Sequence, residues 1–160
     1  AAAAARAGAD AETVAAVARS RAHDATVVFY VHTLEHLRRG GRIGSASALL
    51  GSALAIKPIL ALADGHIAPI EKVRTSSKAL ARMVELAGDA ADRARTAGRI
   101  VDIEVQHLDF AARAAEVADA LAQRVPDAGE IRIGELGAVV GAHVGPGTLA
   151  ITVAPRPESH

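Results

Sequence analysis

The sequence has no cysteine and no tryptophan, and it has only one tyrosine and two phenylalanines. Without cysteine a disulfide framework is excluded, and any metal site would need His, Asp or Glu ligands. No run approaches the about 20 consecutive apolar residues of a membrane-spanning helix. There is also no basic stripe and almost no aromatic surface on which bases could stack. We therefore expect a cytoplasmic protein with no membrane span, no nucleic-acid partner, no cofactor and no metal.

What the sequence does have is a globular composition. Hydrophobic residues make up 51% of the 160 residues, charged residues make up 22%, and eighteen basic residues balance eighteen acidic ones. A chain of this length fits one domain that can bury about 70% of its unfolded surface. We expect a single domain over residues 1–160, flexible at 1–9 and 155–160. The alanine-rich start lacks the charged leader of a signal peptide and resembles the tail of a helix that begins upstream.

The order of the predicted elements mixes helices and strands. Helical patterns cover 11–22, 34–39, 44–54, 76–95 and 109–124, with Asp10, Thr33 and Asp109 as expected N-caps. Short apolar runs predict strands at 26–31, 56–62, 67–73, 100–105, 131–133, 138–144 and 148–154. The Asp64-Gly65 pair between two such runs predicts a hairpin. The expected fold class is α/β (mixed α+β), a mixed sheet with a central hairpin and helices packed on it.

Three segments carry more information than a generic α/β domain would. They read TLEHLRRGGRIGSASALLG, IKPIL followed by GHIAPIEKVRT, and GELGAVVGAHVGPG. In this order and spacing they resemble the C-terminal lobe of the DegV family of fatty-acid-binding proteins. That family has a V-D-T-L-E-x-L-R-R-G-G-R-I stretch, an I-K-P-I-L strand, a V-x-K-x-R-T corner and an H-x-G-P-G turn. The resemblance runs from about residue 8 to residue 154.

The resemblance implies a binding protein with two lobes, and not an enzyme. Such a protein holds one long-chain fatty acid between its lobes and presents the carboxylate to a separate fatty acid kinase. The N-terminal lobe, which supplies Ser and Thr hydroxyls to the carboxylate in the family, is absent from these residues. The expected partners are therefore a fatty acid, a kinase and the N-terminal lobe of the same protein. A lobe taken alone would expose an apolar strip, so self-association is also expected.

The resemblance assigns the fatty-acid carboxylate to two side chains, Arg42 and His143. The turns that support them would be formed by glycines at four positions: Gly40, Gly41, Gly145 and Gly147. The residues alone favour a solvated arginine beside a helix cap for Arg42 and a core or loop histidine for His143, and the resemblance reverses the first preference. Threonine is usual in the family where this chain has Val144, which removes a hydroxyl from the turn.

Two further features have both a functional and a structural interpretation. Arg74 ends a charged hairpin corner, which on its own is a solvated surface. The family uses a basic residue near this corner to engage the kinase, so the resemblance implies a partner contact at Arg74. The small residues at 45–54 would either line the acyl slot or pack closely against the sheet.

A competing motif points to a zinc-dependent hydrolase. His32, Glu35 and His36 match the H-x-x-E-H pattern, in which both histidines share one helix face. Here His32 closes a strand, and the following helix stops at Gly40 after fewer than two turns. In the DegV pattern the position of His32 is usually Asp, and the position of His36 is often Tyr. We therefore expect the two rings to diverge without a third ligand; metal analysis of protein purified without chelator distinguishes the two functions.

Overall fold

The spacing of apolar residues, about every 3.6 residues in helices and every second residue in half-buried strands, is consistent with the elements observed along most of the chain. The computed structural model describes residues 1–50 and 56–156. The helices are α1 (Ala2–Arg6), α2 (Ala11–Asp24), α3 (Glu35–Arg39), α4 (Ser76–Thr96), α5 (Ala111–Arg124) and α6 (Ala138–Val144), with a 3-10 helix at Gly44–Leu49. The strands are β1 (Thr26–Tyr30), β2 (Lys57–Ala63), β3 (His66–Val73), β4 (Val101–Leu108), β5 (Glu130–Glu135) and β6 (Thr148–Pro155). None of the described helices is long and apolar enough to cross a membrane.

The six strands form one mixed sheet in the order β3-β2-β1-β6-β4-β5. Every neighbouring pair is antiparallel except β4 and β5, which are parallel and joined through α5. The expected α/β class with helices packed on a mixed sheet is confirmed. The β2–β3 hairpin lies in the middle of the chain but at one edge of the sheet.

One face of the sheet packs against the two long helices, α4 and α5. Successive strand side chains point to opposite faces, so Val28 and Tyr30 of β1 join this core. Met83 of α4 and Leu121 of α5 are fully buried against it. Each such side chain contributes about 1.5–3 kcal/mol by leaving water. The Tyr30 hydroxyl is hydrogen-bonded to that of Ser76 at 2.7 Å, so the start of α4 is held at the end of β1.

The opposite face is divided into an apolar part and a polar part. The apolar part lies around α3, the 3-10 helix and α6 and buries a second cluster: Phe29, Val31, Leu37, Ala46, Leu60, Val144 and Ala150. On β4 this face carries polar side chains instead, among them Asp102. The Asp102 carboxylate accepts hydrogen bonds from Arg156 at 2.8 and 2.9 Å. The apolar part of this face therefore lies over β1, β2 and β6, with Ile67 of β3 packed against it.

Several local predictions are confirmed. Asp10 caps α2, because its carboxylate accepts a hydrogen bond from the Thr13 N–H at 2.8 Å. The hairpin turn has φ 50° at Asp64 and 75° at Gly65, the left-handed pair that a two-residue type I′ turn requires. Helix α4 extends one residue beyond the predicted range and buries the expected stripe through Met83. These features depend on short stretches of sequence.

The predicted strand at 138–144 is wrong, because this segment forms helix α6. Strand β6 already pairs with both β1 and β4, so there is no place beside it for another strand. The segment instead crosses the end of β4, where Leu136 N–H donates to the His107 carbonyl and Gly147 N–H to the Leu108 carbonyl, both at 2.8 Å. Val139 is 80% exposed, as expected for a crossing segment outside the sheet.

The predicted helix at 44–54 is also wrong over its described part. Residues 44–49 form a 3-10 helix whose cap residue, Leu50, is extended, and 51–55 lie outside the described residues. Gly44 begins it with φ 53°, and the space where its Cβ would be is taken by the Ile67 carbonyl. Gly44 thus brings the start of the segment directly against the β3 backbone, and the segment ends where Leu50 becomes extended.

Two of the three predicted N-caps are corrected. Asp109 has φ 51° and does not cap α5, whose N-cap position is Phe110. The N-cap position of α3 is Leu34, one residue after the predicted Thr33. The Thr33 hydroxyl still accepts a hydrogen bond from the Glu35 N–H at 3.2 Å, so it satisfies one of the free donors at the helix start.

Candidate functional site

The candidate site lies at the end of the sheet where several segments meet. Tyr30 at the end of β1 pairs with Leu149 near the start of β6, and Leu108 at the end of β4 pairs with Thr148. The segments after β1 and β4 and before β6 must therefore converge. The Lys57 ammonium donates to the His32 carbonyl at 3.0 Å, which brings the start of β2 to the same place.

Helix α3 ends in a Schellman motif that presents Arg42. The Arg42 N–H donates to the Leu37 carbonyl at 2.9 Å, and the Gly41 N–H donates to the Arg38 carbonyl at 3.0 Å. This pair of hydrogen bonds requires a residue in the left-handed conformation at the helix end, and Gly41 supplies it with φ 68°. The chain thus reverses immediately before Arg42, whose guanidinium donates back to the Gly40 carbonyl at 3.0 Å.

Gly40 is needed for space and not for its backbone angles. Its φ of −75° and ψ of −6° are open to any residue. However, a Cβ at this position would overlap Nδ1 of His143 and lie 3.0 Å from Cε1 of the same ring. The imidazole of His143 therefore lies directly on the Gly40 backbone, which also holds the Arg42 guanidinium. The two predicted carboxylate-binding residues are brought together at one glycine.

Helix α6 ends in the second glycine turn of the site. Gly145 has φ 77°, and a Cβ there would lie 2.6 Å from Nε2 of His36 and 2.8 Å from its Cγ. Gly147 has φ 76°, and its Cβ would lie 3.2 Å from that of His32. The buried Thr148 hydroxyl donates to the Val144 and Gly145 carbonyls, at 3.2 and 2.8 Å, and fixes the turn. His143 therefore ends a helix, and the expectation that it ends a strand is wrong.

The electrostatics around the site favour an anion. Glu35 is the nearest acid in sequence, and its carboxylate accepts hydrogen bonds from Arg38 at 2.6 and 2.8 Å and from Arg39 at 2.9 Å. These hydrogen bonds, the Arg38 pair first, lower the pKa of Glu35 from 4.5 to about 2. Glu35 is thus held by its own helix. Among residues 1–50 and 56–156, Arg42 makes no ion pair.

An apolar surface adjoins the charged end. The second core cluster reaches it through Leu37 and Val144, which stand on the two helices that carry the glycine turns. Along the same sheet face, Val27 of β1 pairs with Leu62 of β2, and Leu62 is 46% exposed. Leu37 and Val144 are themselves buried, and the apolar strip that is open to solvent lies farther along β1 and β2, at Val27 and Leu62. This is a geometry that a polar group with a long apolar tail would fit.

Arg74 lies at the same end of the sheet but toward its edge. It follows β3 and directly precedes Thr75, the N-cap of α4, whose hydroxyl accepts from the Lys78 N–H at 3.2 Å. The acid of this corner, Glu71, is occupied by a double hydrogen bond from Arg82 at 2.8–3.0 Å. Arg74 is exposed, and this corner carries uncompensated positive charge.

The zinc pattern finds no support in the geometry. His32 lies in the segment before α3 and faces Gly147, whereas His36 lies within the helix and faces Gly145. The Glu35 carboxylate, the general base of that pattern, is engaged by two arginines. Over the described part of the chain, no three His, Cys, Asp or Glu side chains are grouped so that they could hold a metal ion.

Sequence reasoning missed the contact between His36 and the second glycine turn. It considered His36 only as a zinc ligand, because the H-x-x-E-H spacing is a local signal. The contact with Gly145 joins residues that are far apart in sequence and has no local signature. The family pattern offered one indirect signal, since an aromatic residue is often found at this position.

Comparisons with known proteins identify relatives over nearly the whole chain. The model of the DegV family, described as uncharacterised proteins, matches residues 1–156. A DegV domain-containing protein of Streptomyces coelicolor is 50% identical over 152 residues, which are 95% of this chain and 52% of that protein. Protein DegV of Bacillus subtilis is 39% identical over 123 residues, 77% of this chain and 42% of its own length. The chain spans about half the length of the curated relatives it matches.

Solved structures give the same result. A DegV family protein from Thermus thermophilus, described by its fatty acid binding, matches with a TM-score of 0.85 at 30% identity, covering 96% of this chain and 53% of that one. The fatty-acid-binding protein DegV from Bacillus subtilis matches with a TM-score of 0.76 at 32% identity, over 93% of this chain and 51% of that one.

Proposed function

Because the chain belongs to the DegV family, we propose that it forms one lobe of a two-lobed protein that holds a long-chain fatty acid between its lobes. The observation that carries the proposal is the meeting of Arg42 and His143 at Gly40. The guanidinium offers a planar fork of donors, and the imidazole offers one more. The carboxylate would bind there, and the lobe that precedes this one would complete the site.

The energetics assign different tasks to the two ends of the ligand. Each buried methylene contributes about 0.8 kcal/mol, so a dozen contribute on the order of 10 kcal/mol before the costs of binding. A hydrogen bond to the charged carboxylate adds about 1.5–3 kcal/mol. The tail would therefore supply most of the affinity, and the half-exposed Leu62 and the partly buried Val27 offer it apolar surface on this lobe. The head group fixes which end of the fatty acid faces solvent.

The lobe has a binding role, and the chemistry belongs to a partner. A separate fatty acid kinase would phosphorylate the presented carboxylate, with Arg74 contributing to its docking surface. Within residues 1–50 and 56–156, Arg74 is exposed and makes no ion pair, and the neighbouring Glu71 is engaged by Arg82, so an acidic patch on the partner could pair with Arg74. We expect Arg74→Ala to lower phosphorylation of the bound fatty acid without changing its affinity. Lys78→Ala, one turn into α4, is the matched control, and equal effects of both would contradict a specific contact.

The most direct test is to identify what the protein carries. Full-length protein should be purified without added lipid, denatured, and extracted for mass spectrometry. We expect long-chain fatty acids at near-stoichiometric amounts, and depletion of this lipid in a variant that lacks both Arg42 and His143. Recovery of no acyl chain, together with no binding in a titration with a long-chain fatty acid, would refute the proposal.

A further inference from the structure

Helices α3 and α6 interlock through histidines and glycines in a reciprocal way. The imidazole of His143 in α6 lies on Gly40 at the end of α3, and the imidazole of His36 in α3 lies on Gly145 at the end of α6. Each helix thus contributes one ring and one glycine to the same seam. Arg42 follows the first of these glycines. His36 therefore stands in the same position toward the second turn as His143 does toward the first.

Each ring places one nitrogen against a glycine, Nδ1 of His143 at Gly40 and Nε2 of His36 at Gly145, and its other nitrogen lies farther from that glycine. Within residues 1–50 and 56–156, neither His36 nor His143 forms a side-chain hydrogen bond, and both rings are half-buried. A neutral imidazole always carries one N–H donor, and a protonated one carries two. A donor that has lost part of its water gains from a ligand acceptor. The acid next to His36, Glu35, is occupied by Arg38 and Arg39, so it does not compete.

We propose that His36 is a second imidazole of the head-group site and donates to the fatty-acid carboxylate alongside His143, an assignment that rests on the function proposed above. A carboxylate has two oxygens with about four lone-pair positions, enough for two imidazoles and the Arg42 fork. One ring comes from each of the two helices, His36 from α3 and His143 from α6. This arrangement makes His36 a determinant of selectivity for an ionised head group over a neutral one.

The test compares a fatty acid with the alcohol of the same chain. In the full-length protein, His36→Phe keeps a planar ring over Gly145 and removes both nitrogens. His66→Phe, an exposed histidine in the hairpin, is the matched control. Oleate and oleyl alcohol are titrated into each protein. We expect His36→Phe to raise the dissociation constant for oleate about tenfold or more, to leave that for oleyl alcohol unchanged, and His66→Phe to change neither.

Three other outcomes would contradict either the role of His36 or the proposed function, and they can be told apart. Equal weakening of acid and alcohol would show that His36 only packs against the turn, and no change with either ligand would show that it has no role. A wild-type protein that binds neither ligand would refute the proposed function itself, and the role of His36 with it. Imidazole NMR of the wild type needs no variant: the His36 nitrogen resonances should shift with oleate and not with oleyl alcohol, and the absence of that shift overturns the assignment.

Discussion

Gly40 and Gly41 are adjacent residues of the same type that serve different purposes. Gly41 supplies the left-handed conformation of the helix end, and the space where its Cβ would be is empty within 4 Å. Gly40 has ordinary backbone angles, but the His143 ring occupies its side-chain space. The sequence shows only a glycine pair, which predicted a tight turn. The second reason becomes visible only when α6 is placed beside α3.

This difference predicts that only one of the two glycines is energetically coupled to His143 in a double-mutant cycle. Gly41→Ala should lower the free energy of unfolding by about 1–2 kcal/mol through backbone strain. Gly40→Ala should lower it by about 1–3 kcal/mol through overpacking against His143. Adding His143→Ala should relieve the second penalty and leave the first unchanged, because only one pair shares a contact. Urea unfolding of the single and double variants measures both; additive effects in the Gly40 pair would contradict the packing argument.

The head-group residues give a second prediction at this scale. In the full-length protein, Arg42→Ala and His143→Ala should each weaken fatty-acid binding by about 1–3 kcal/mol, because each removes a donor to a partly buried carboxylate. Arg39→Ala is the control, since Arg39 is 71% exposed and engaged with Glu35. A binding titration in which all three variants behave alike would show that the site lies elsewhere.

At the scale of elements, α3 illustrates how a helix of five residues is held together. It has too few residues to be stable alone, and it depends on buried Leu37, the glycine end and the Glu35 ion pairs. Sequence patterns located it closely because its cap and stop signals are local. They failed for α6, whose β-branched residues favour a strand, because the neighbours of β6 decide that segment.

The ion pairs of α3 predict a pH dependence. The folded-state pKa of Glu35 is about 2, below its ordinary value of 4.5. A lowered pKa means that this stabilisation is fully present above about pH 4.5 and is lost as the pH falls through about 2. Carbon-13 NMR of the Glu35 carboxyl should therefore show a midpoint near 2, and Arg38→Ala should move it upward, as Arg38 is the largest cause. A midpoint near 4.5 in the parent protein would mean that the pairs do not persist in solution.

At the scale of the whole molecule, the exposed apolar strip determines what we expect of the affinity and the self-association of this chain. The chain buries a continuous core between the sheet and α4 and α5, so we expect it to fold by itself. If the proposed slot between two lobes exists, it would be half open in this chain taken alone. Burying half of a tail worth on the order of 10 kcal/mol forfeits about 5 kcal/mol, a several-thousand-fold loss of affinity.

Calorimetric titration of this chain and of the full-length protein with the same fatty acid tests this expectation. The short chain should bind several-thousand-fold more weakly and should self-associate through its strip in sedimentation experiments. Its circular dichroism spectrum is the control that it is folded. Equal submicromolar affinity for both proteins would show that this lobe contains the entire site, and the two-lobed proposal would be wrong.

The sequence by itself determined the features that depend on neighbouring residues. The Asp10 cap, the turn at Asp64 and Gly65, the apolar run of β1 and the stripe of α4 each depend on a short segment. The family motifs also indicated Arg42 and His143. Local signals of this kind survive because the physical interactions behind them, hydrogen bonds to nearby backbone and burial of one face, act within a few residues.

Only the tertiary structure decided which distant residues share a contact. The order of strands placed β6 between β1 and β4, which converted 138–144 from a predicted strand into α6. In this position of α6, the His143 ring contacts Gly40, and the His36 ring contacts Gly145. These contacts join opposite ends of the chain, and their energy depends on the packing of the whole sheet. No local pattern encodes them, because van der Waals exclusion acts between atoms that folding alone brings together.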